Sequence, residues 1–408
     1  MTVELRPLGV KCNIQCHYCY QNPQRDAGNG DRSYDLEKMK EAAAREGAAF
    51  SLFGGEPLLV PEEDLENLWS WGFEKFGKNT IQTNGTLISD RHIALFKAYN
   101  VSVGISVDGP GELNDIRWMG SLQRTREATA ATHKAIERIL SEKIRISLIV
   151  TLHRGNATHD KLPIMHAWFR HLDSLGLPAA RLHILEVESP VIRTKYGLSA
   201  EENAVALLSF YRLEKNELKT LRLDVFRDMR NLLLGTDESV SCVWNACDPY
   251  TTRAVRGIEG NGQRSNCGRT NKDGIDFVKT EGEGFERYLA LHETPQEYGG
   301  CRDCRFFLMC KGQCPGTAIN GDWRNRTEYC EVWMRLFEHL ERNLVSQGLE
   351  PVSLRADREA LEARLIDSWL SGRNMSIARL LREGAAPADP ASGTAAPPAG
   401  AAQESHLV

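Results

Sequence analysis

Short apolar runs alternate with longer stretches of helical periodicity over the first 187 residues of the chain. The helical stretches begin with good caps: 33–47 starts at Ser33 or Asp35, and 61–76 starts with a proline and acidic residues. Six runs are strand candidates: VELRPLG (3–9), AAFSLF (48–53), NTIQTN (79–84), NVSVGISV (100–107), IRISLIVTL (144–152) and ARLHILEV (180–187). Six strand-then-helix units predict an α/β fold with a parallel sheet and helical crossovers.

The chain changes character after the last of these units. Residues 199–235 read as two helices. Residues 242–330 are rich in Gly and Cys with few periodic segments, so we expect this region to have little apolar material of its own and to need metal to stay folded. Two helices follow, and the end is rich in Ala, Pro and Gly, a composition typical of disorder. The predicted units are a barrel-like domain at 1–198, a helical bridge at 199–241, a cysteine-rich domain at 242–335, C-terminal helices at 336–382 and a disordered tail at 383–408.

Charge and hydropathy exclude several classes of protein. The 50 Lys and Arg against 55 Asp and Glu give a net charge of −5 without a basic block, so we expect neither a nucleic acid nor an anionic membrane as partner. The first residues lack a secretion signal, and no apolar run is long enough to span a membrane. These features predict a cytoplasmic location.

The 11 cysteines are an odd number, and in the cytoplasm they should stay reduced, which favours metal binding. Cys12, Cys16 and Cys19 follow the first strand candidate. If the sheet curls into a partial barrel, they lie at the carboxyl ends of the strands, where such a barrel has its active site. Three thiolates can hold three irons of a [4Fe-4S] cluster and leave the fourth iron open, whereas structural zinc requires four ligands. A zinc knuckle or a group of reactive thiols remains the alternative.

This CxxxCxYC motif together with FGGEP (53–57) resembles the radical S-adenosylmethionine (radical SAM) superfamily. The resemblance implies a partial (β/α)6 barrel, a cluster held by the three cysteines and SAM on the open iron, from which reduction releases a 5′-deoxyadenosyl radical. In that family the glycines admit the ligand, the glutamate accepts from the SAM ammonium, and polar strand-end residues bind the ribose and carboxylate. The implied SAM-binding residues are Tyr18, Gly54, Gly55, Glu56, Asn84 and Ser106. The stretch DGPGELNDIR (108–117) also resembles a family motif, although Asn114 replaces its histidine.

Eight more cysteines follow in the second half of the chain, enough to close two four-ligand sites. Their spacing resembles the SPASM domain, the auxiliary-cluster extension of radical SAM enzymes that modify peptides and proteins. By analogy, one [4Fe-4S] cluster is held by Cys242, Cys247, Cys267 and Cys314, and another by Cys301, Cys304, Cys310 and Cys330. A pair of zinc ribbons is the alternative. Fully ligated clusters have no open iron, so we expect them to accept or relay electrons.

The resemblance favours oxidative crosslinking of a ribosomally made precursor peptide. Sulfatase-maturing members carry an aspartate just after the third cysteine of the first auxiliary site, but here that position is Gly268. An epimerase needs a thiol that donates hydrogen, and all 11 cysteines are assigned to three clusters. Peptide epimerisation and sulfatase-type maturation remain alternatives. The catalytic residue is unknown, with His153, Glu186 and Glu188 as unranked candidate bases.

The same reading predicts the partners of the enzyme. They are a precursor peptide and an external electron donor of the flavodoxin or ferredoxin type. Cys12 lies too near the first residue to leave room for a leader-binding domain ahead of the barrel. We therefore expect a separate protein, the bridge helices or the C-terminal helices to recognise a leader.

Overall fold

The structure is a computed structural model, and it describes residues 3–26, 28, 33–187, 189–248, 255–265, 267–269, 284–295 and 297–385. One sheet of nine strands organises this part of the chain, in the order β7-β6-β5-β4-β3-β2-β1-β8-β9. All neighbouring strands pair in parallel except β8 and β9, which are antiparallel. The strands are β1 (Val3–Arg6), β2 (Phe50–Leu52), β3 (Asn79–Thr83), β4 (Val101–Ser106), β5 (Ile146–Leu152), β6 (Ala179–Ile184), β7 (Arg222–Leu223), β8 (Arg256–Glu259) and β9 (Arg264–Ser265).

Fourteen α-helices are present in the described residues, and those between the first six strands form the crossovers. Asp35, rather than Ser33, caps the helix that begins at Leu36, since its carboxylate accepts from the amides of Glu37 and Lys38. The helices are α1 (Asn22–Asp26), α2 (Leu36–Glu46), α3 (Glu62–Phe76), α4 (Asp90–Ala98), α5 (Leu122–Ser141), α6 (Leu162–Ser174), α7 (Pro190–Tyr196), α8 (Ala200–Asn216), α9 (Asp224–Leu233), α10 (Glu286–Glu293), α11 (Phe307–Cys310), α12 (Cys330–Ser346), α13 (Arg358–Leu370) and α14 (Ile377–Ala385).

The two faces of the sheet differ, as alternation along the strands requires. In β5, Leu148 and Val150 are fully buried, whereas Ile149 and Thr151 are only half-buried and line a cavity. One face therefore packs into the apolar core and the other forms the inner wall of a partial barrel. The predicted α/β class and all six predicted strands are confirmed, in chain order across the sheet.

Three short strands escape the prediction, and two of them change the picture of the cysteine-rich region. β8 pairs in parallel with β1 over Val3 to Arg6, and β9 pairs with β8. The sheet thus continues from the barrel into the region predicted to be a separate domain. At two to four residues, these strands are too short to show a hydrophobic period.

The expectation that the cysteine-rich region has little apolar material is wrong. Trp244, Tyr288, Phe306 and Phe307 are almost fully buried and join the main apolar core. The Phe306 ring stacks on Phe337 of α12 at a centroid distance of 5.2 Å. Aromatic side chains in non-periodic segments supply this core, so apolar packing supports the region together with any metal it holds.

The C-terminal helices extend further than the sequence indicated. Helix α14 includes residues 383–385, which were predicted as tail, while residues 386–408 lie outside the described part of the chain. The Asp237 carboxylate accepts from the amides of Ile377 and Ala378 at 2.9 and 3.1 Å, which fixes the start of this helix. Within the described ranges, the length and apolar character of the helices are insufficient for any of them to cross a membrane.

Candidate active site

An open cavity of about 1070 Å³ lies at the carboxyl ends of β1 to β6. Every one of these six strands, or the loop that follows it, contributes to the wall. The lining residues include Cys12, Cys16, Tyr18 and Cys19 after β1, Gly54 and Gly55 after β2, Gln82 and Asn84 at β3, Ser106 of β4, Ile149 and Thr151 of β5, and His183 and Glu186 at β6. The cavity thus lies at the end of the strands where a parallel α/β barrel has its active site.

The cysteine loop is held against the GGE loop by backbone pairing. The amide of Gly55 donates to the carbonyl of Gly9 at 2.9 Å, and the amide of Glu56 donates to that of Lys11 at 2.8 Å. A Cβ at Gly55 would stand 1.9 Å from the Lys11 carbonyl oxygen, and Gly54 has a φ of +119°. The glycines therefore allow the GGE loop to pack directly against the backbone that precedes Cys12. The sequence analysis had predicted only that they admit a ligand.

The three cysteines of this loop all line the cavity, and none of them forms a disulfide. Polar groups approach two of the sulfurs: Asn84 Nδ2 lies 3.9 Å from Cys12 Sγ, and an Arg25 guanidinium nitrogen lies 3.7 Å from Cys19 Sγ. Burial raises the pKa of the Cys16 thiol to about 12 and also raises that of Cys12. Metal coordination would stabilise these thiolates in a site that disfavours free ones.

Three cysteine thiols are the donor set that a [4Fe-4S] cluster with one open iron requires. In the ranges that the structure describes, no three His, Cys, Asp or Glu side chains converge closely enough to hold one ion. Four sulfurs around one zinc must each lie about 2.3 Å from it. The cysteines of a [4Fe-4S] cluster bind different irons and stand further apart. Cys12, Cys16 and Cys19 line the same cavity and would hold such a cluster from one side.

Glu56 holds neighbouring strand-end loops together and is absent from the cavity lining. Its side chain is buried, with Oε1 accepting from the Leu58 amide at 3.0 Å and the Thr83 hydroxyl at 2.6 Å, and Oε2 accepting from the Asn84 amide at 2.7 Å. Burial raises the pKa of Glu56, and these hydrogen bonds oppose the rise. Contact between Glu56 and SAM stays a prediction, and the observed bonds position Asn84.

The other predicted SAM contacts face the cavity. Asn84 donates through Nδ2 to Asn13 Oδ1 of the cysteine loop at 2.7 Å. Ser106 Oγ accepts from Gln82 Nε2 at 2.8 Å, and the Gln82 side chain crosses Gly104, where a Cβ would meet its Oε1 at 2.2 Å. Sequence analysis did not single out Gln82, although it lies in the same strand end as Asn84.

Residues of the stretch DGPGELNDIR (108–117) hydrogen-bond to the Tyr18 hydroxyl. The Tyr18 hydroxyl donates to Asp108 Oδ2 at 2.6 Å and accepts from an Arg117 nitrogen at 2.9 Å. Asn114 accepts from the Asp108 amide at 2.8 Å and donates to Thr129 Oγ1 at 2.8 Å. The residue that replaces the family histidine is thus a buried structural link. Asp108 and Arg117 hold the Tyr18 hydroxyl, a role that the sequence analysis did not assign to them.

The three candidate bases have different positions. Glu186 lines the cavity and forms an ion pair with Arg269, which also lines it. His153 is 1% exposed and is not among the cavity residues, and burial lowers its pKa to about 4. Glu188 lies outside the described residues. Among the candidates whose position is described, only Glu186 could contact a substrate in this cavity.

Seven of the eight later cysteines gather in two places. Cys301, Cys304, Cys310 and Cys330 line one cavity of about 380 Å³, whose wall is otherwise largely aromatic. Burial raises the pKa of the Cys242 and Cys267 thiols, and each is raised further by the thiolate of Cys314, which places these three near one another. The Cys247 amide is hydrogen-bonded to the Tyr288 hydroxyl. The grouping of ligands into two clusters stays a prediction.

Comparison with known proteins agrees with this geometry. Residues 7–160 match the radical SAM superfamily. A serine-type anaerobic sulfatase-maturating enzyme of Klebsiella aerogenes is 26% identical over 82% of this chain and 84% of its own length. An uncharacterized protein of Methanothermobacter thermautotrophicus is 31% identical over 60% of this chain and 93% of its own length.

Solved structures resemble the fold at low sequence identity. The structure described as native anSMEcpe with bound AdoMet and Cp18Cys peptide has a TM-score of 0.66 and 19% identity, over 85% of this chain and 98% of that one. Streptococcus suis SuiB bound to precursor peptide SuiA has a TM-score of 0.54 and 15% identity, over 81% of this chain and 76% of that one. At such identities the likeness establishes the fold alone.

Proposed function

Because the chain belongs to the radical SAM superfamily, we propose that it is a peptide maturase that oxidatively crosslinks a ribosomally made precursor peptide. The observation that carries the proposal is the single cavity that joins Cys12, Cys16 and Cys19 to polar strand-end side chains such as Asn84 and Ser106. The family implies a [4Fe-4S] cluster and SAM, which supply a 5′-deoxyadenosyl radical able to abstract a hydrogen atom.

The chain's own residues would hold and orient that chemistry. The cysteine loop is anchored on both sides, since the Gln15 amide donates to the Trp118 carbonyl at 2.7 Å and the GGE loop pairs with its other end. Asn84 is tied to the same loop through Asn13, so ligand-binding and cluster-binding residues keep a fixed relation. Such preorganisation favours a defined approach of the radical to the substrate.

Crosslinking also requires one group that accepts a proton from the substrate and another that accepts an electron. Glu186 is the carboxylate that lines the cavity, and it is our candidate proton acceptor. We assign the electron to two auxiliary [4Fe-4S] clusters, one held by Cys242, Cys247, Cys267 and Cys314 and the other by Cys301, Cys304, Cys310 and Cys330. In this scheme all 11 cysteines are ligands, and no thiol remains to donate hydrogen in an epimerisation.

A peptide substrate agrees with the names of the related proteins. The SuiB structure contains the precursor peptide SuiA, and one anSMEcpe structure contains the Cp18Cys peptide. We propose that this chain likewise takes a peptide, and that a flavodoxin or ferredoxin-type protein supplies the electron that starts each turnover. A separate leader-binding protein is a further proposed partner.

Sulfatase-type maturation is the second candidate, favoured by the sulfatase-maturating enzymes among the relatives. Against it stands Gly268, which occupies the position where those enzymes are expected to carry an aspartate. Both reactions oxidise the substrate by two electrons. They differ in whether the product contains a new bond between residues or a new aldehyde, which an aldehyde-reactive hydrazide detects.

The test is the intact mass of a short peptide encoded beside this gene, co-expressed with the enzyme or with a Cys12/Cys16/Cys19→Ala variant. Loss of two hydrogens only with the intact trio, without hydrazide labelling, is the expected result, and tandem mass spectrometry then identifies the linked residues. Deuterium uptake from heavy water without a change in bonding would mean epimerisation. It would also show that one cysteine assigned to a cluster is a hydrogen donor.

Metal analysis tests the cofactor assignment separately. Three [4Fe-4S] clusters predict about twelve irons and about twelve sulfides per chain. Two or three zinc ions per chain in place of iron would contradict the radical mechanism altogether. The same sample, reduced in the presence of SAM, should release 5′-deoxyadenosine.

A further inference from the structure

Arg269 stands between the reaction cavity and the first group of auxiliary cysteines. Its guanidinium lines the cavity and pairs with Glu186 through Nε and a terminal nitrogen. It also lines a smaller cavity together with Gln313, which directly precedes Cys314, and Thr317, which follows Cys314 by three residues. One side chain therefore borders both compartments.

The contact with the cysteine group is close. Arg269 follows Cys267 by two residues, and both Arg269 and Cys314 pack against Gly316. A Cβ at Gly316 would stand 3.1 Å from Arg269 Cβ and 3.4 Å from Cys314 Sγ. The guanidinium of an arginine stays protonated in proteins, and the side chain of Arg269 is only 15% exposed. Arg269 therefore places a positive charge in a largely buried position.

We propose that Arg269 and Glu186 form a unit that couples removal of a proton and an electron from the substrate radical. Glu186 takes the proton at the cavity, and the charge of Arg269 favours arrival of the electron on the cluster assigned to Cys242, Cys247, Cys267 and Cys314. The inference rests on the proposed function, because it requires that auxiliary cluster.

Atoms and electrons balance in this scheme. The substrate first loses a hydrogen atom to the deoxyadenosyl radical, which leaves a carbon radical. A new bond then forms between that carbon and a second substrate group, which releases one proton to the Glu186 carboxylate. The remaining electron would pass to the auxiliary cluster that the four cysteines would hold, which would be reduced by one electron. The substrate has then lost two hydrogens in total.

The coupling follows from charge conservation in a poorly solvated region. When Glu186 becomes neutral, Arg269 loses its compensating partner at the moment the cluster gains a negative charge. The net charge of the buried group is therefore the same before and after transfer, which avoids the cost of burying an uncompensated charge. Either transfer alone would change that net charge.

The experiment measures the midpoint potentials of the auxiliary clusters by redox titration followed with electron paramagnetic resonance. It uses the full chain with Cys12/Cys16/Cys19→Ala, so that only the auxiliary clusters contribute. Arg269→Gln should shift one potential to more negative values, and Glu186→Gln, which imitates the protonated carboxyl, should shift the same potential to more positive values. The double variant should return towards the parent value.

Controls separate electrostatics from damage to the fold. Arg269→Lys keeps the charge and should keep the potential near that of the parent. Arg170→Gln removes a charge from an exposed ion pair with Glu217 and should leave both potentials unchanged. Iron content of about eight per chain in every variant would show that the clusters are intact.

Two outcomes overturn the inference in distinguishable ways. The coupling unit is refuted if the clusters are present but the midpoint potential is unchanged in both Arg269→Gln and Glu186→Gln, or shifts in the same direction in both. The proposed function stands in that case. If the trio variant contains no iron, the auxiliary clusters do not exist. In that case the electron acceptor of the proposed function fails together with the inference.

Discussion

Glu56→Gln distinguishes the two roles considered for this glutamate. In the structure its carboxylate accepts three hydrogen bonds from the protein, from Leu58, Thr83 and Asn84. A glutamine has one acceptor oxygen, so at best its oxygen keeps the Leu58 and Thr83 bonds while its NH2 faces the Asn84 amide. The variant should then lose one buried, charge-assisted hydrogen bond and leave a donor unpaired.

The magnitude follows from that single loss. A hydrogen bond to a charged group contributes about 1.5–3 kcal/mol, and relief of the buried charge offsets part of it. We expect the free energy of unfolding to fall by about 1–3 kcal/mol. Because Asn84 borders the cavity, SAM affinity should fall by about tenfold or less, a secondary effect of displacing its side chain.

The assays are urea unfolding followed by circular dichroism and equilibrium dialysis of labelled SAM, both on the anaerobic holoenzyme. Glu341→Gln is a matched control, since Glu341 is also buried and accepts from Arg305 and Ser353 far along the chain. It should reduce stability without affecting SAM affinity. Unchanged stability of Glu56→Gln together with abolished SAM binding would refute the structural reasoning and favour direct contact with SAM.

Three further variants test the site and its surroundings. Gly55→Ala places a Cβ 1.9 Å from the Lys11 carbonyl oxygen, so it should separate the two loops. The free energy of unfolding should fall by about 1–3 kcal/mol, and the iron content by about four per chain. Gly47→Ala, whose Cβ would have nothing within 4 Å, should lose stability but no iron. The pKa of His153 is about 4 in the folded chain against 6.5 when unfolded, so stability is lost as pH falls below about 6.5. Between pH 7.5 and 5.5, urea unfolding should show that the wild type loses about 1.3 kcal/mol more than His153→Gln. The same pH dependence of stability in both proteins would contradict a buried neutral histidine. Cys310→Ser should remove about four irons of about twelve while SAM cleavage continues, and a full iron count would mean that Cys310 is not a ligand.

The sequence predicted the barrel well because its signals are local. Each of the first six strands is a compact apolar run beside an amphipathic helix, and a parallel sheet follows from that alternation. The placement of Cys12, Gly55 and Asn84 at one cavity also follows, since parallel strands end at the same edge. The strands that carry no such period, β7 to β9, were missed.

The rest of the site depends on distances in sequence that no local pattern encodes. Tyr18, Asp108 and Arg117 meet across about ninety to a hundred positions, and Glu186 meets Arg269 across 83. Only the spatial structure brings such pairs together. The sequence placed Glu186 among three unranked bases, and its position in the cavity lining is the observation that separates it from the buried His153.

The pairing of β8 with β1 links the two halves of the proposed chemistry. Gly260, directly after β8, lies so close to β1 that a Cβ there would stand 2.3 Å from the Pro7 carbonyl oxygen, and its own carbonyl accepts from the Asp35 amide at 2.8 Å. Cys12 follows one side of this contact and Cys267 the other. A substitution that displaces β8 should therefore disturb the first auxiliary site and the cysteine loop together. Two independent domains joined by a flexible bridge would respond separately.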